Sequence, residues 1–285
     1  MTQDIATTQA TTSPAAPRGE YRAICFDLDG TLLPMDLDEF LTCYYQALDE
    51  HMAQAGVNVE EFNAALNAGI RVMMSHDFHE SNSEAFWSHF FTQVDEGARD
   101  WQALFMDFYL NKFKNIGEDI KPNPAAAEAV AVLREKGYPL VLATMPLFPR
   151  EAVAWRLAWA DVDPEAFARI TTYDNSRAVK PQSFYYAEQL TALGVNGSDV
   201  LMVGNNALED LSFAKLGADT FLVTDCLLNP EDMDISTTRH GTLEDFAAWA
   251  KALPICMNPA TKIDDGLMVS EAVQEVMVVN ERAAL

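Results

Sequence analysis

Two aspartates lie two residues apart at the end of a short apolar run, residues 21–26. Asp27 follows this run directly, and Asp29 precedes Gly30 and Thr31. A carboxylate at the end of a buried strand can act as a nucleophile, and a second carboxyl can move protons to and from the reacting group. Gly30 permits an unusual backbone angle, and the Thr31 hydroxyl can fix the loop. The pair predicts phosphoryl transfer, with an acyl phosphate on Asp27 and Asp29 as acid and base.

Three later segments offer the other groups that phosphoryl transfer requires. Thr144 follows the apolar run 139–143 and can donate a hydrogen bond to a phosphoryl oxygen. Lys180, followed by Pro181, supplies a compact positive charge. Mg²⁺ prefers oxygen ligands in an octahedral shell. The predicted metal ligands are Asp27, the backbone carbonyl of Asp29, Asn205, Asn206 and Asp210, with Glu209 as a further acid in the same segment.

Outside residues 36–114, short apolar runs alternate with helical patterns. Strands are predicted at 21–26, 139–143, 170–173, 199–203 and 220–223, and helices at 125–135, 151–159, 183–193, 208–216 and 242–252. This alternation predicts an α/β fold with a doubly wound parallel sheet. In such sheets the site lies beyond the carboxyl ends of the strands, where Asp27, Asp29, Thr144, Asn205 and Asn206 should converge.

Apolar residues recur at helical spacing from 36 to 114, which predicts an all-helical insert. We expect four parts: a disordered tail at 1–19, a core made of 20–35 and 115–253, the insert at 36–114, and a C-terminal extension at 254–285. The extension contains one helical stripe, which runs from Val269 to Val276.

The motif FDLDGTLL resembles the first motif of the haloacid dehalogenase-like hydrolases, D-x-D-G-T. VLAT at 141–144 is similar to their second motif, Lys180-Pro181 to the third, and the segment from VGNNALED onward to the fourth. The resemblance implies a Rossmann-like core with a helical cap inserted after the first strand. It also implies Mg²⁺-dependent hydrolysis of a small phosphorylated metabolite, with phosphate bound by Thr144, Lys180, Gly30 and Thr31.

The fourth motif departs from the family pattern, in which an Asp that binds Mg²⁺ follows the glycine directly or one residue later. Asn205 and Asn206 occupy these two positions. An amide oxygen can bind Mg²⁺ but brings no negative charge, so we expect weaker metal binding. Two alternatives to a phosphatase stay open: a catalytically weak or silent member that binds a ligand, and a phosphomutase. Halide displacement is less expected, because it needs no proton donor and Asp29 would have no role.

The composition limits the partners and the compartment. A net charge of −24 makes nucleic acid and anionic membranes unfavourable partners. The four cysteines form no C-x-x-C pair, and the N-terminal residues lack the features of a signal peptide. We therefore expect reduced thiols and a cytoplasmic protein.

Overall fold

The computed structural model describes residues 20–263, which build one parallel β sheet with helices on both faces. Within these residues the strands are β1 Ala23–Phe26, β2 Leu140–Leu142, β3 Arg169–Ile170, β4 Val200–Gly204, β5 Asp219–Val223 and β6 His240–Gly241. They lie in the order β3-β2-β1-β4-β5-β6, and every neighbouring pair is parallel. The chain builds the sheet outward from β1 in both directions, so the carboxyl ends of β1, β2 and β4 are adjacent. The predicted doubly wound fold is confirmed.

The predicted insert, residues 36–114, is helical. Its α helices are α1 Leu37–Gln54, α2 Val59–Met73, α3 Asn82–Phe90 and α4 Trp101–Asn111. Side-chain caps fix where they begin: Asp36 accepts the N–H of Glu39 at the start of α1, and Ser81 and Glu84 form a reciprocal capping box at the start of α3. No strand interrupts residues 36–114, all of which the structure describes.

The remaining helices cover the two faces of the sheet. They are α5 Pro124–Glu135, α6 Arg150–Trp159, α7 Ser183–Leu193 and α8 Leu243–Ala252. Alternate residues of β1 serve opposite faces, as the period of a strand requires. Ile24 and Phe26 pack in the cluster that contains α5 and α8, whereas Ala23 and Cys25 pack in the cluster that contains α7.

The insert and the core share a hydrophobic cluster. The ring of Phe113, which follows α4, stacks on Trp159 of α6 at a centroid distance of 5.3 Å and lies 6.2 Å from the ring of Phe148. Gly117 lies so close that a Cβ atom there would fall 2.1 Å from the Trp159 ring. The end of the insert is therefore held against α6 by aromatic packing.

Two predicted elements differ in extent from the observed ones. The strand expected at 170–173 ends at Ile170, because the Thr172 N–H turns to the side chain of Asn175. The helix expected at 208–216 is a 3₁₀ helix that begins only at Asp210, because the Asn206 side chain holds the preceding residues in a turn.

The predicted terminal segments lie wholly or partly outside the described residues. The tail predicted at 1–19 and the stripe from Val269 to Val276 lie outside the described residues. Residues 254–263 run along the core: the Cys256 N–H donates to the carbonyl of Lys136, and the Ala260 N–H donates to that of Arg22. None of the helices in the described part of the chain has both the length and the apolar character needed to cross a membrane.

The aromatic contact between insert and core gives a stability prediction. Replacing Phe113, which is fully buried, by Ala should lower the free energy of unfolding by about 3–5 kcal/mol, because a cavity remains among the rings. Leu110→Ala is the matched control: Leu110 is exposed at the end of α4, so its loss should cost less than about 0.5 kcal/mol. Urea unfolding measures both. Equal effects would show that the rings do not hold the insert to the core.

Candidate active site

Lys180 joins two carboxylates in the interior of the protein. Its Nζ lies 2.7 Å from Oδ1 of Asp27 and 2.7 Å from Oδ1 of Asp210. All three side chains are buried. Burial lowers the pKa of Lys180, but the charges of Asp210 and Asp27 outweigh this effect and hold the pKa well above its usual value. Lys180 is therefore a permanent cation at the end of β1.

Asp27 is positioned as the sequence predicts, directly after β1. Burial raises the pKa of Asp27 above its ordinary value, against the opposing charge of Lys180, and the nearby carboxylates Asp210 and Asp29 raise it further. The contact with Lys180 thus favours the ionised form of Asp27 against the effect of burial. The second oxygen of Asp27, Oδ2, lies on the side of Thr31, at 3.5 Å from Oγ1.

Gly30, Thr31 and Asn205 form the next part of the site. Gly30 has a φ of +81°, and a Cβ atom there would lie 2.2 Å from Nδ2 of Asn205. The Thr31 hydroxyl lies 3.0 Å from Oδ1 of Asn205, whose Nδ2 donates to the carbonyl of Cys226 at 2.7 Å. Glycine is therefore required at position 30, both for the turn and for the close approach of Asn205. The oxygen of Asn205 points toward Thr31 and the Asp27 side of the site.

Asn206 and Asp210 are engaged within their own loop. Oδ1 of Asn206 accepts the N–H groups of Leu208 and Glu209 at 3.1 and 3.2 Å. Oδ2 of Asp210 accepts the Asn206 N–H at 2.9 Å, while its Oδ1 binds Lys180. Gly204 leaves room for this arrangement, since a Cβ atom there would lie 2.1 Å from Oδ2 of Asp210. In this geometry Asn206 shapes the turn and Asp210 positions Lys180.

The Thr144 hydroxyl is buried at the carboxyl end of β2. Its Oγ1 has no hydrogen-bond partner within residues 20–263. The backbone at Thr144 is firmly held, because its carbonyl accepts the hydroxyls of Thr171 and Tyr185 at 2.8 and 2.9 Å. A buried hydroxyl without a partner is costly, so this donor is free for a ligand oxygen.

Arg156 is a site residue that the sequence reasoning missed. Its buried guanidinium binds Oδ2 of Asp29 and lies 4.7 Å from the ring centre of Phe148. The other carboxylate oxygen of Asp29, Oδ1, is buried and has no partner in the described chain. The sequence contained one sign of this role: Arg156 lies in the apolar stripe of α6, three residues after Val153 and four after Ala152.

Asp27 and Asn205 are the side chains that could hold a Mg²⁺ ion. Oδ2 of Asp27 and Oδ1 of Asn205 lie 3.5 and 3.0 Å from the same Thr31 hydroxyl, and Mg²⁺ is commonly held by one or two protein oxygens together with phosphate and water. Among the residues described, no group of three or more His, Cys, Asp or Glu side chains forms a metal cage by itself. A metal here would therefore need oxygens from a bound ligand as well. Glu209 lies in the same turn, and burial raises its pKa to about 6, which disfavours the charged form that would bind a metal.

The buried Lys180 gives a prediction that depends on pH. Lys180→Met should lower the free energy of unfolding by about 3–5 kcal/mol at pH 8, because two carboxylates stay buried without a cation. Burial raises the pKa of Asp27, and the variant lacks the opposing charge of Lys180, so its folded state binds a proton at Asp27 more tightly than the unfolded chain does. The stability of the variant is therefore lost as pH rises, and its deficit should be smaller at pH 5. Urea unfolding of Lys180→Met and of the control Lys215→Met, at an exposed site, measures it. A deficit independent of pH would contradict this account.

Comparison with known proteins supports a family assignment. A family model described as haloacid dehalogenase-like hydrolase matches residues 21–217, more than half of the chain. No curated protein matches the sequence.

Two similar solved structures share the fold. One is a predicted phosphoglycolate phosphatase from Haemophilus somnus 129PT: it is 15% identical, with a TM-score of 0.51, over 81% of this chain and 99% of that chain. The other is the defluorinating L-2-haloacid dehalogenase Rha0230: it is 14% identical, with a TM-score of 0.51, over 84% of this chain and 99% of that chain. With the family match, the sheet order and the residues gathered at the end of β1, the chain belongs to the haloacid dehalogenase-like hydrolases.

Proposed function

We propose that this hydrolase cleaves small phosphate monoesters through an aspartyl-phosphate on Asp27. The observation that carries the proposal is that the two carboxylates contact different cations. Asp27 contacts Lys180, and Asp29 contacts Arg156. A nucleophile and a proton donor must act on different atoms of the substrate, the phosphorus and the leaving oxygen. Two aspartates that are two residues apart but held by different cations occupy separate positions, so each can serve one of these atoms.

In the first half of the reaction, a carboxylate oxygen of Asp27 attacks phosphorus, and the bond from phosphorus to the ester oxygen breaks. Arg156 occupies Oδ2 of Asp29, which leaves Oδ1 to carry the proton that the departing alkoxide takes up. Lys180 and the Thr144 hydroxyl bind phosphoryl oxygens as negative charge moves onto them.

In the second half, water attacks phosphorus of the aspartyl-phosphate, and the bond to Asp27 breaks. Asp29, now ionised, accepts the proton of this water, so one residue serves as acid and then as base. Inorganic phosphate leaves, Asp29 again carries its proton, and Asp27 returns to its pair with Lys180. Mg²⁺, held by Asp27 and Asn205, would neutralise charge on the phosphoryl oxygens.

Halide displacement uses the same fold but fits these residues less well. A halide leaves as a stable anion and needs no proton, so a carboxyl such as Asp29 would have no task. A silent binding protein fits less well too, because each predicted phosphate-binding group is retained beside the nucleophile. The unpartnered Thr144 hydroxyl is a feature that a phosphoryl oxygen would satisfy.

The two aspartates should respond differently to substitution. Asp27→Asn should lower phosphatase activity by more than about 10³-fold, as loss of a covalent nucleophile does. Asp29→Asn should lower kcat/KM by about 10²–10⁴-fold on alkyl phosphates but much less on p-nitrophenyl phosphate, whose leaving oxygen needs little help from an acid. Its kcat should fall on both esters, because the aspartyl-phosphate is hydrolysed in the same second step. Phosphate release measures both, and Asp38→Asn, exposed in α1, is the control. Wild-type turnover by Asp27→Asn would refute the mechanism, and equal losses of kcat/KM on both esters would remove Asp29 as the acid.

The two amides of the fourth motif should also differ. Asn205→Asp should tighten Mg²⁺ binding by about tenfold or more, because it adds a charge where the amide oxygen lies beside Thr31 and Asp27. Asn206→Asp is the matched control: its oxygen faces the N–H groups of Leu208 and Glu209, so affinity should hardly change. Calorimetric titration with Mg²⁺ decides between them. Tighter binding only in Asn206→Asp would place the metal on the other amide.

A further inference from the structure

A cavity of about 550 Å³ lies between the helical insert and the loop that follows β2. Eight of its lining residues are aromatic, and they come from α1, α3, α4 and the core segments at Phe148 and Tyr173. Both its size and its apolar walls are typical of a site for a small molecule. None of the proposed chemical steps uses it.

One wall of the cavity lies next to the site, whereas Asp29 itself lines a different cavity. Phe148 lines the cavity between the insert and the core, and its ring centre lies 4.7 Å from the guanidinium carbon of Arg156, whose Nη1 binds Asp29. The same short loop begins at Thr144, whose hydroxyl is proposed to donate a hydrogen bond to the phosphoryl group. In the proposed reaction the leaving oxygen must lie beside Asp29. A leaving alcohol that extends from this oxygen past Arg156 toward Phe148 would face the cavity.

The charges of the lining restrict what can occupy it. The lining residues, all in the described part of the chain, include two carboxylates, Glu84 and Asp174, but no Lys, Arg or His. The hydroxyls of Tyr44 and Tyr109 lie 2.9 Å apart, and burial raises the pKa of both phenols, so they stay neutral. A second anionic group on a substrate would lose its hydration here and meet no counter-charge.

We infer that the cavity binds the alcohol part of the substrate, and that the substrate is a phosphate monoester of an apolar, ring-sized alcohol without a second anionic group. This inference rests on the proposed function and adds its substrate class. It disfavours phosphorylated carboxylic acids and esters with several phosphates. Aromatic rings in the lining offer stacking partners for such an alcohol.

The test compares three monoesters: benzyl phosphate, 4-carboxybenzyl phosphate and ethyl phosphate. Benzyl and ethyl phosphate have leaving oxygens of similar type but differ in the ring. Burying the ring should raise kcat/KM for benzyl over ethyl phosphate by about ten- to a hundredfold, mainly through KM. The added carboxylate should remove this advantage.

Two variants locate the effect. Ile70→Trp fills the cavity from α2, so the ratio of kcat/KM between benzyl and ethyl phosphate should fall toward one. Leu110→Trp adds the same side chain on the exposed side of α4, outside the lining, and should keep the wild-type ratio. Calorimetry with benzyl alcohol gives a readout that needs no catalysis: binding to the wild type should be lost in Ile70→Trp.

The outcomes separate the two proposals. Equal kcat/KM for benzyl and ethyl phosphate, or a preference for the carboxylated ester, would overturn the substrate class and leave the phosphatase proposal standing. If no ester were hydrolysed, the phosphatase proposal would fail, whereas benzyl alcohol binding that Ile70→Trp abolishes would still identify the cavity as a ligand site. If benzyl alcohol did not bind, the cavity inference would be wrong by itself.

Discussion

The site depends on one buried cation, Lys180, held between Asp27 and Asp210. Removing these charges from water is costly, and the arrangement is tolerable only because one ammonium group contacts both carboxylates. Asp210 is in turn held by the Asn206 N–H, and Gly204 leaves space for it. The ends of β1 and β4 are thereby tied together through Asp27, the proposed nucleophile, so this residue and the sheet edge are stabilised by the same contacts.

A second cation, Arg156, organises the other half of the site and links it to the insert. It binds Asp29 and contacts Phe148, whose ring packs with Phe113 at the end of the insert. The proposed acid and base is therefore separated only by Arg156 and Phe148 from the packing that holds the helical insert. A ligand in the cavity would contact Phe148, whose ring packs on the Arg156 that binds Asp29, which relates the proposed chemistry to the proposed choice of leaving group.

The sequence could predict the fold and the placement of Asp27 and Thr144, because strand periodicity and the parallel-sheet rule bring these residues to one edge. Lys180 follows no strand directly, and it was expected from its charge and from the resemblance to the family's third motif. The sequence could not predict Arg156, whose partner is more than a hundred residues away and whose signal is one charge in an apolar stripe. Nor could it distinguish Asn205 from Asn206. Asn205 faces Thr31 because its amide group donates to the carbonyl of Cys226 and Gly30 leaves it room. Asn206 instead accepts a backbone N–H group of its own loop.

The most direct test of the central claim is to identify the covalent intermediate. Wild-type protein would be mixed with a phosphate monoester and Mg²⁺, quenched in acid during turnover, and mapped by peptide mass spectrometry. The account predicts one added phosphoryl group on Asp27. A phosphoryl group on a different residue, or a carbon ester of the substrate on Asp27, would contradict it.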